Sequence, residues 1–274
     1  MRFPRFLSDV SDALKKALFR RPAPAKDAKQ PGAAGLVPPE SMIFVGDGDF
    51  EATGKEFLKY FVEFAGVAPN SRVLDVGCGI GRMAVPLTKY LTSGEYYGFD
   101  IVKSGIDWSV ENISSKFPNF HFEHANVYNK NYNPDGRTSA ETFVFPYSDA
   151  FFDFAFLTSV FTHMLPAAVD NYMSEIARVL KPGASCLITF FLLNDESLRL
   201  VKSGRSTLNF KREIEGCLSI SRHNPESAIA YKEEIVRGMF DKHDLAIVEP
   251  IRFGSWCERE NGLSYQDIIV AKKR

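Results

Sequence analysis

Three glycines at alternate positions, Gly77, Gly79 and Gly81, directly follow the apolar run "RVLDV" and stand behind Asp75. A turn stripped of side chains lets a ligand approach backbone N–H groups that Cβ atoms would shield, and a helix start behind it adds partial positive charge. The spacing is G-x-G-x-G, whereas the dinucleotide fingerprint is G-x-G-x-x-G. A second chemical group is His163 in "SVFTHM", whose imidazole titrates near neutral pH and suits a general base. The competing reading is a histidine hydrogen-bonded at a helix start. His121 and His124 lie three apart in an expected strand, point to opposite faces, and read as structural.

These residues need a scaffold, and the apolar pattern supplies one. Seven segments read as strands: "RVLDVG", "EYYGFDI", "NFHFEHANV", "FFDFAFLTSV", "SCLITFFL", "DLAIVEPI" and "YQDIIVAKK". Helical patterns alternate with them, including "IGRMAVPLTKYL" and "PAAVDNYMSEIARVLKPG", the latter opened by Pro166 and closed by Pro182-Gly183. The expectation is an α/β chain: a doubly wound, seven-stranded, mostly parallel sheet with helices on both faces. Residues 129–148 read as a long loop, and about 194–230 as a partly helical insertion of the kind that caps a site. Ahead of this body, 41–274, residues 1–21 form a basic amphipathic helix pattern and 22–40 a Pro/Ala-rich linker.

The glycine spacing with its preceding acid resembles the first motif of the class I S-adenosylmethionine-dependent methyltransferases, whose fold is Rossmann-like. "YYGFDI", "HANVYN", "FFDFAFLTSVFTHM" and "RVLKPGASCLITFF" resemble the later motifs in the right order, covering the chain from about residue 55 onward. The resemblance implies that Asp75 reaches the methionine amino group while Gly77, Cys78, Gly79 and Gly81 supply close backbone. It implies that Asp100 takes both ribose hydroxyls, Ile101 packs on the adenine and Asn126 and Val127 sit at its edge. Thr158 and Ser159 would face the methionine portion, and Arg82 its carboxylate, though a solvated first-turn arginine reads equally well.

A methyl group on a sulfonium is already electrophilic, so the main tasks are to align a nucleophile and exclude water. Neither the carboxylate ligands of metal-dependent catechol-type members nor the [DN]-P-P-Y tetrapeptide of amino-methylating nucleic-acid enzymes is present. The expectation is metal-independent transfer to a small-molecule acceptor, to oxygen rather than nitrogen, with His163 as base. Trp256, Tyr265 and Tyr231 are candidate walls of the acceptor pocket. The alternatives are a nicotinamide-dependent oxidoreductase, disfavoured by glycine spacing and the missing Y-x-x-x-K pair, and a non-catalytic cofactor-binding member.

Composition bounds the partners. A formal net charge of -1, from 33 Lys and Arg against 34 Asp and Glu, gives no basic footprint for nucleic acid. Cys78, Cys186, Cys217 and Cys257 lie far apart, which fits neither a zinc site nor a disulfide framework and points to a cytoplasmic setting. The N-terminal helix pattern suits weak contact with a membrane or partner, or packing on its own domain.

Overall fold

The structure is a computed structural model that describes residues 36–44, 46, 48–206 and 208–274. The N-terminal helix pattern and residues 22–35 of the linker lie outside the described residues. Helix α1 (Phe50–Ala65) starts on Asp49, whose side chain accepts from the Ala52 N–H at 2.8 Å, and stops at Gly66 in the left-handed region at φ 72°. Sequence patterning had not singled out this helix. Its buried Phe50, Phe57, Tyr60 and Phe61 explain it, because they place one aromatic face on the sheet.

The central sheet contains β1 (Arg72–Val76), β2 (Glu95–Asp100), β3 (Phe120–His124), β4 (Phe152–Leu157) and β5 (Leu180–Phe190). After an inserted cap, β10 (Leu245–Ile247) and β11 (Asp267–Lys273) complete it in the order β10-β11-β5-β4-β1-β2-β3. The pairs β3–β2, β2–β1, β1–β4 and β4–β5 are parallel, and β5–β11 and β11–β10 are antiparallel. All seven strand segments expected from the sequence are therefore in this sheet.

Alternation along the strands feeds two cores. On β11, Ile269 and Ala271 join the core beneath α4 (Pro166–Val179) and α6 (Glu233–Lys242), while Ile268 and Val270 join the one beneath α1 and α2 (Ala84–Tyr90). Both faces of the sheet are covered, as a largely parallel sheet requires, and its strands accordingly read as near-continuous apolar runs. Phe61 on α1 lies 4.3 Å from Phe156 and 5.2 Å from Phe154, ring centre to ring centre. Such a fully buried phenylalanine contributes about 1.5–3 kcal/mol. Leu36, which composition assigns to the linker, is buried in this second core.

Between β5 and β10 the chain builds a four-stranded cap sheet of β6 (Leu192–Leu193), β7 (Arg212–Ile214), β8 (Cys217–Ser219) and β9 (Ile229–Lys232), preceded in part by α5 (Asp195–Lys202). Glu215 and Gly216, both at positive φ, make the two-residue turn that fits the twist of the β7–β8 hairpin. A third core of Phe191, Leu208, Phe210, Ala228, Ala230 and Trp256 sits under this cap. Among the described residues no helix is long and apolar enough to cross a membrane.

Candidate active site

Strand order reverses between β4 and β1, and there the carboxyl ends of the strands open into a cavity of about 960 Å³. Crevices of this kind are where open α/β sheets bind ligands, and the volume lies at the upper end of the roughly 300–1,000 Å³ typical of ligand sites. Asp75, Gly77, Cys78, Gly79, Arg82, Asp100, Ile101, Val127, Thr158, Ser159 and His163 all line it. The structure thus gathers eleven of the thirteen expected site residues around one space.

The glycine turn is built tightly. Gly77 has φ +79°, and a Cβ on it would meet Val160 Cγ2 at 2.4 Å, so no larger residue fits. The N–H groups of Gly77 and Cys78 donate to the Phe99 carbonyl at 2.9 and 3.1 Å, and that of Gly79 donates to Asp100 Oδ2 at 2.7 Å. The expected row of free amide donors is therefore turned onto β2. The bare turn offers close approach, and the electrostatics come from acids instead.

Asp75 is buried, with Oδ2 accepting from the Tyr96 hydroxyl at 2.6 Å and Oδ1 sealed without any hydrogen-bond partner. Burial, reinforced by the neighbouring charge of Asp100, pushes its pKa up to about 8 against the Tyr96 hydrogen bond. Asp100 is also buried; its oxygens accept from Gly79 and Val102 N–H groups, both at 2.7 Å. Burial raises its pKa too, partly offset by those backbone donors. Burial favours the neutral form of both carboxyls, and a cation placed beside them would restore the charged form. Arg82 does not neutralise them by a hydrogen bond: its Nη2 donates to the Gly46 carbonyl at 2.9 Å, and its guanidinium lies 5.5 Å from the Phe50 ring centre.

Across the cavity, β4 ends in Thr158 and Ser159. Ser159 adopts φ +62°, a costly conformation for a non-glycine, fixed by its N–H on Thr189 Oγ1 at 2.8 Å and its hydroxyl accepting from Gln266 Nε2 at 2.9 Å. A short 3₁₀ turn, Phe161–His163, then presents the half-buried imidazole. His163 Nδ1 lies 2.9 Å from the Glu226 carbonyl oxygen. A carbonyl only accepts, so Nδ1 carries the proton and Nε2 is left with its lone pair. Burial lowers the His163 pKa despite the backbone groups of Glu226 and Ser227, which act to raise it, so the neutral ring is favoured.

Two of the expected residues lie elsewhere. Gly81 does not line the cavity; a Cβ there would meet Ile113 Cδ1 at 2.7 Å, so it serves close packing against the segment Val110–Ser114 that continues α3 (Lys103–Ser109). Asn126 is exposed on the far side of the β3 end, its carbonyl accepting from Arg137 and Thr138 N–H groups. Its place in the cavity wall goes to Tyr128, Asn129 and Tyr132. Of the aromatic wall candidates only Tyr265 lines the cavity, since Trp256 and Tyr231 are buried beneath the cap. Tyr60, Tyr172 and Glu226 line it as well and were not singled out from the sequence. No local pattern marks them, because they arrive from α1, α4 and the cap turn. Their only signal was membership in elements that the fold directs to this edge.

A family model described as "Methyltransferase domain" matches residues 47–226 of the 274. The chain is 26% identical over 168 residues to methyltransferase GfsG of Streptomyces halstedii, covering 59% of this chain and 54% of that protein. It thus spans about half the length of that relative. Two solved structures share the fold. One is the PH0226 protein of Pyrococcus horikoshii OT3, with TM-score 0.56 and 17% identity, covering 82% of this chain and 91% of that one. The other is magnesium protoporphyrin IX methyltransferase of Synechocystis PCC 6803 with bound S-adenosylhomocysteine, with TM-score 0.52 and 15% identity, covering 82% and 83%. The chain therefore belongs to the methyltransferase-domain family.

Proposed function

We propose that this protein methylates an oxygen atom of a small hydroxylated molecule, without a metal, and that His163 removes the acceptor's proton. The observation that carries this reading is the orientation of His163: Nδ1–H is committed to the Glu226 carbonyl, and Nε2 is left as an acceptor in a ring whose burial favours the neutral form. An amine in its neutral form attacks with its own lone pair, whereas a hydroxyl gains on the order of 10²- to 10⁴-fold from a base that takes its proton.

The residues present fit the cofactor. Asp75 Oδ1, buried and unpartnered, is matched to an ammonium, and Gly77, whose missing Cβ lets Val160 pack against the turn, keeps the backbone beside it bare. On this reading Asp75 receives the amino-acid tail of the cofactor and Asp100 its ribose. Ile101 and Val127 flank the adenine, and Cys78, Gly79, Arg82, Thr158 and Ser159 complete the wall. When bound, S-adenosylmethionine supplies an electrophilic methyl group on a sulfonium. The protein's part is to align the acceptor oxygen, exclude water under the cap and hold the released proton on Nε2. Across the balanced reaction the acceptor loses H⁺ and gains CH₃⁺, and the carbon–sulfur bonding pair stays on sulfur.

The test uses cofactor labelled in its methyl group and matched alcohol, phenol and amine acceptors. The expected result is transfer to oxygen, with His163→Ala lowering turnover by about 10²-fold or more and leaving cofactor affinity within about twofold. Transfer to amines alone, or turnover indifferent to His163→Ala, would contradict the reading.

A further inference from the structure

The cap holds the His163 turn at two adjacent residues with bonds of opposite sense. His163 donates from Nδ1 to the Glu226 carbonyl in the Pro225–Ser227 turn. Met164 accepts, through its carbonyl, from the Tyr231 hydroxyl on β9. Burial raises the Tyr231 pKa well above its ordinary value, so the phenol stays protonated and donates. Tyr231 is itself anchored: its N–H donates to the Phe191 carbonyl at 2.9 Å, its ring meets Phe190 edge to face at 6.1 Å, and it is 1% exposed. The Pro225–Ser227 turn is fixed from the other side, where Asn224 and Asn131 exchange side-chain hydrogen bonds of 2.8 and 3.3 Å.

We propose that Tyr231 is a positioning residue: by tethering Met164 to β9 it keeps the neighbouring His163 ring in register with the Glu226 carbonyl, which selects the tautomer with Nε2 open. Cap docking and base readiness then become one event. A neutral imidazole released from that carbonyl distributes its proton between both nitrogens, and the fraction with Nε2 protonated cannot accept. This inference rests on the assignment of His163 as base, and it adds a cause for that residue's competence lying outside the cavity wall.

The titratable groups beside the imidazole are Tyr132, whose ring lies 6.3 Å away, and the Glu226 carboxyl, which feels Lys130. Neither is touched by Tyr231→Phe, which deletes one hydroxyl and keeps the ring. The experiment is ¹⁵N NMR of the His163 imidazole in the full chain, which needs no acceptor. The wild-type ring is expected neutral at pH 7.5 with Nδ1 protonated. In Tyr231→Phe the spectrum should show both tautomers, with a pKa no higher than that of the wild type, because the Glu226 hydrogen bond that raises it is loosened while the ring stays buried. Asn224→Ala, which loosens the turn from its other end, should shift the spectrum the same way and serves if Tyr231→Phe does not fold. A folded variant with the wild-type tautomer and pKa would overturn the role of Tyr231 and leave the base assignment intact. A wild-type ring protonated on Nε2 would overturn both.

Discussion

Asp75 and Asp267 are both buried carboxyls at the ends of sheet strands, and the protein treats them in opposite ways. Asp267, at the start of β11, is fully enclosed, and four donors satisfy it. Leu192 N–H and Trp256 Nε1 reach Oδ2 at 2.7 Å, while Gly254 N–H at 2.7 Å and Arg259 Nη1 at 3.2 Å reach Oδ1. It pins the cap and the 254–259 loop to the sheet. Asp75 has one donor, Tyr96, and an oxygen with none. Burial lifts both, Asp267 to about 6 and Asp75 to about 8, and the extra donors on Asp267 account for its smaller rise. The structural carboxyl is saturated from within, whereas the one proposed to take the ligand is left short of a partner.

The sharpest way to break this contrast is Asp267→Ala. It strands two backbone amides, an indole N–H and a guanidinium, and should cost about 3–5 kcal/mol, the range for removing one partner of a buried ion pair. Denaturant unfolding measures it, and a loss under about 1 kcal/mol would show that the cap is not anchored there. Asp75→Asn should move stability the other way as pH rises. A carboxyl whose folded pKa exceeds its unfolded value adds stability that is full below the unfolded value of 3.8 and is lost as pH climbs through about 8. Above pH 8 the cofactor-free Asn variant should therefore match or exceed the wild type, by up to a few kcal/mol. A melting curve at pH 8.5 that falls below wild type would contradict the account. The smallest effect belongs to Asp100→Ala, which should weaken S-adenosylmethionine about 10- to 100-fold, since a charged hydrogen-bond acceptor contributes about 1.5–3 kcal/mol. Unchanged affinity would place the ribose elsewhere.

The parts legible in the sequence are those encoded locally. The turn at Gly77, the acid ending β2 and the apolar runs of the seven strands each announce themselves within ten residues, because parallel strands buried on both faces must be apolar. Helix α1 was missed although Asp49 and Gly66 cap it, since its aromatic stripe was not read as a helical face. The cap sheet was missed as strands because β6 to β9 run only two to four residues and are fixed by tertiary pairing. Asn126 was misplaced by an exact registration of a motif onto a bend, where one residue decides which side is wet. Tyr132 and Glu226 meet His163 from loops 31 and 63 residues away in the chain, and no spacing rule reaches that far.

The central claim is that Asp75 is held in want of a cation and that the cofactor's amino-acid tail supplies it. Calorimetric titration of S-adenosylmethionine into the wild type and Asp75→Asn at pH 7.5 tests this directly. The account predicts at least about 10-fold weaker binding by the variant, in a chain that is no less stable than the parent. Equal dissociation constants in two equally folded proteins would contradict it.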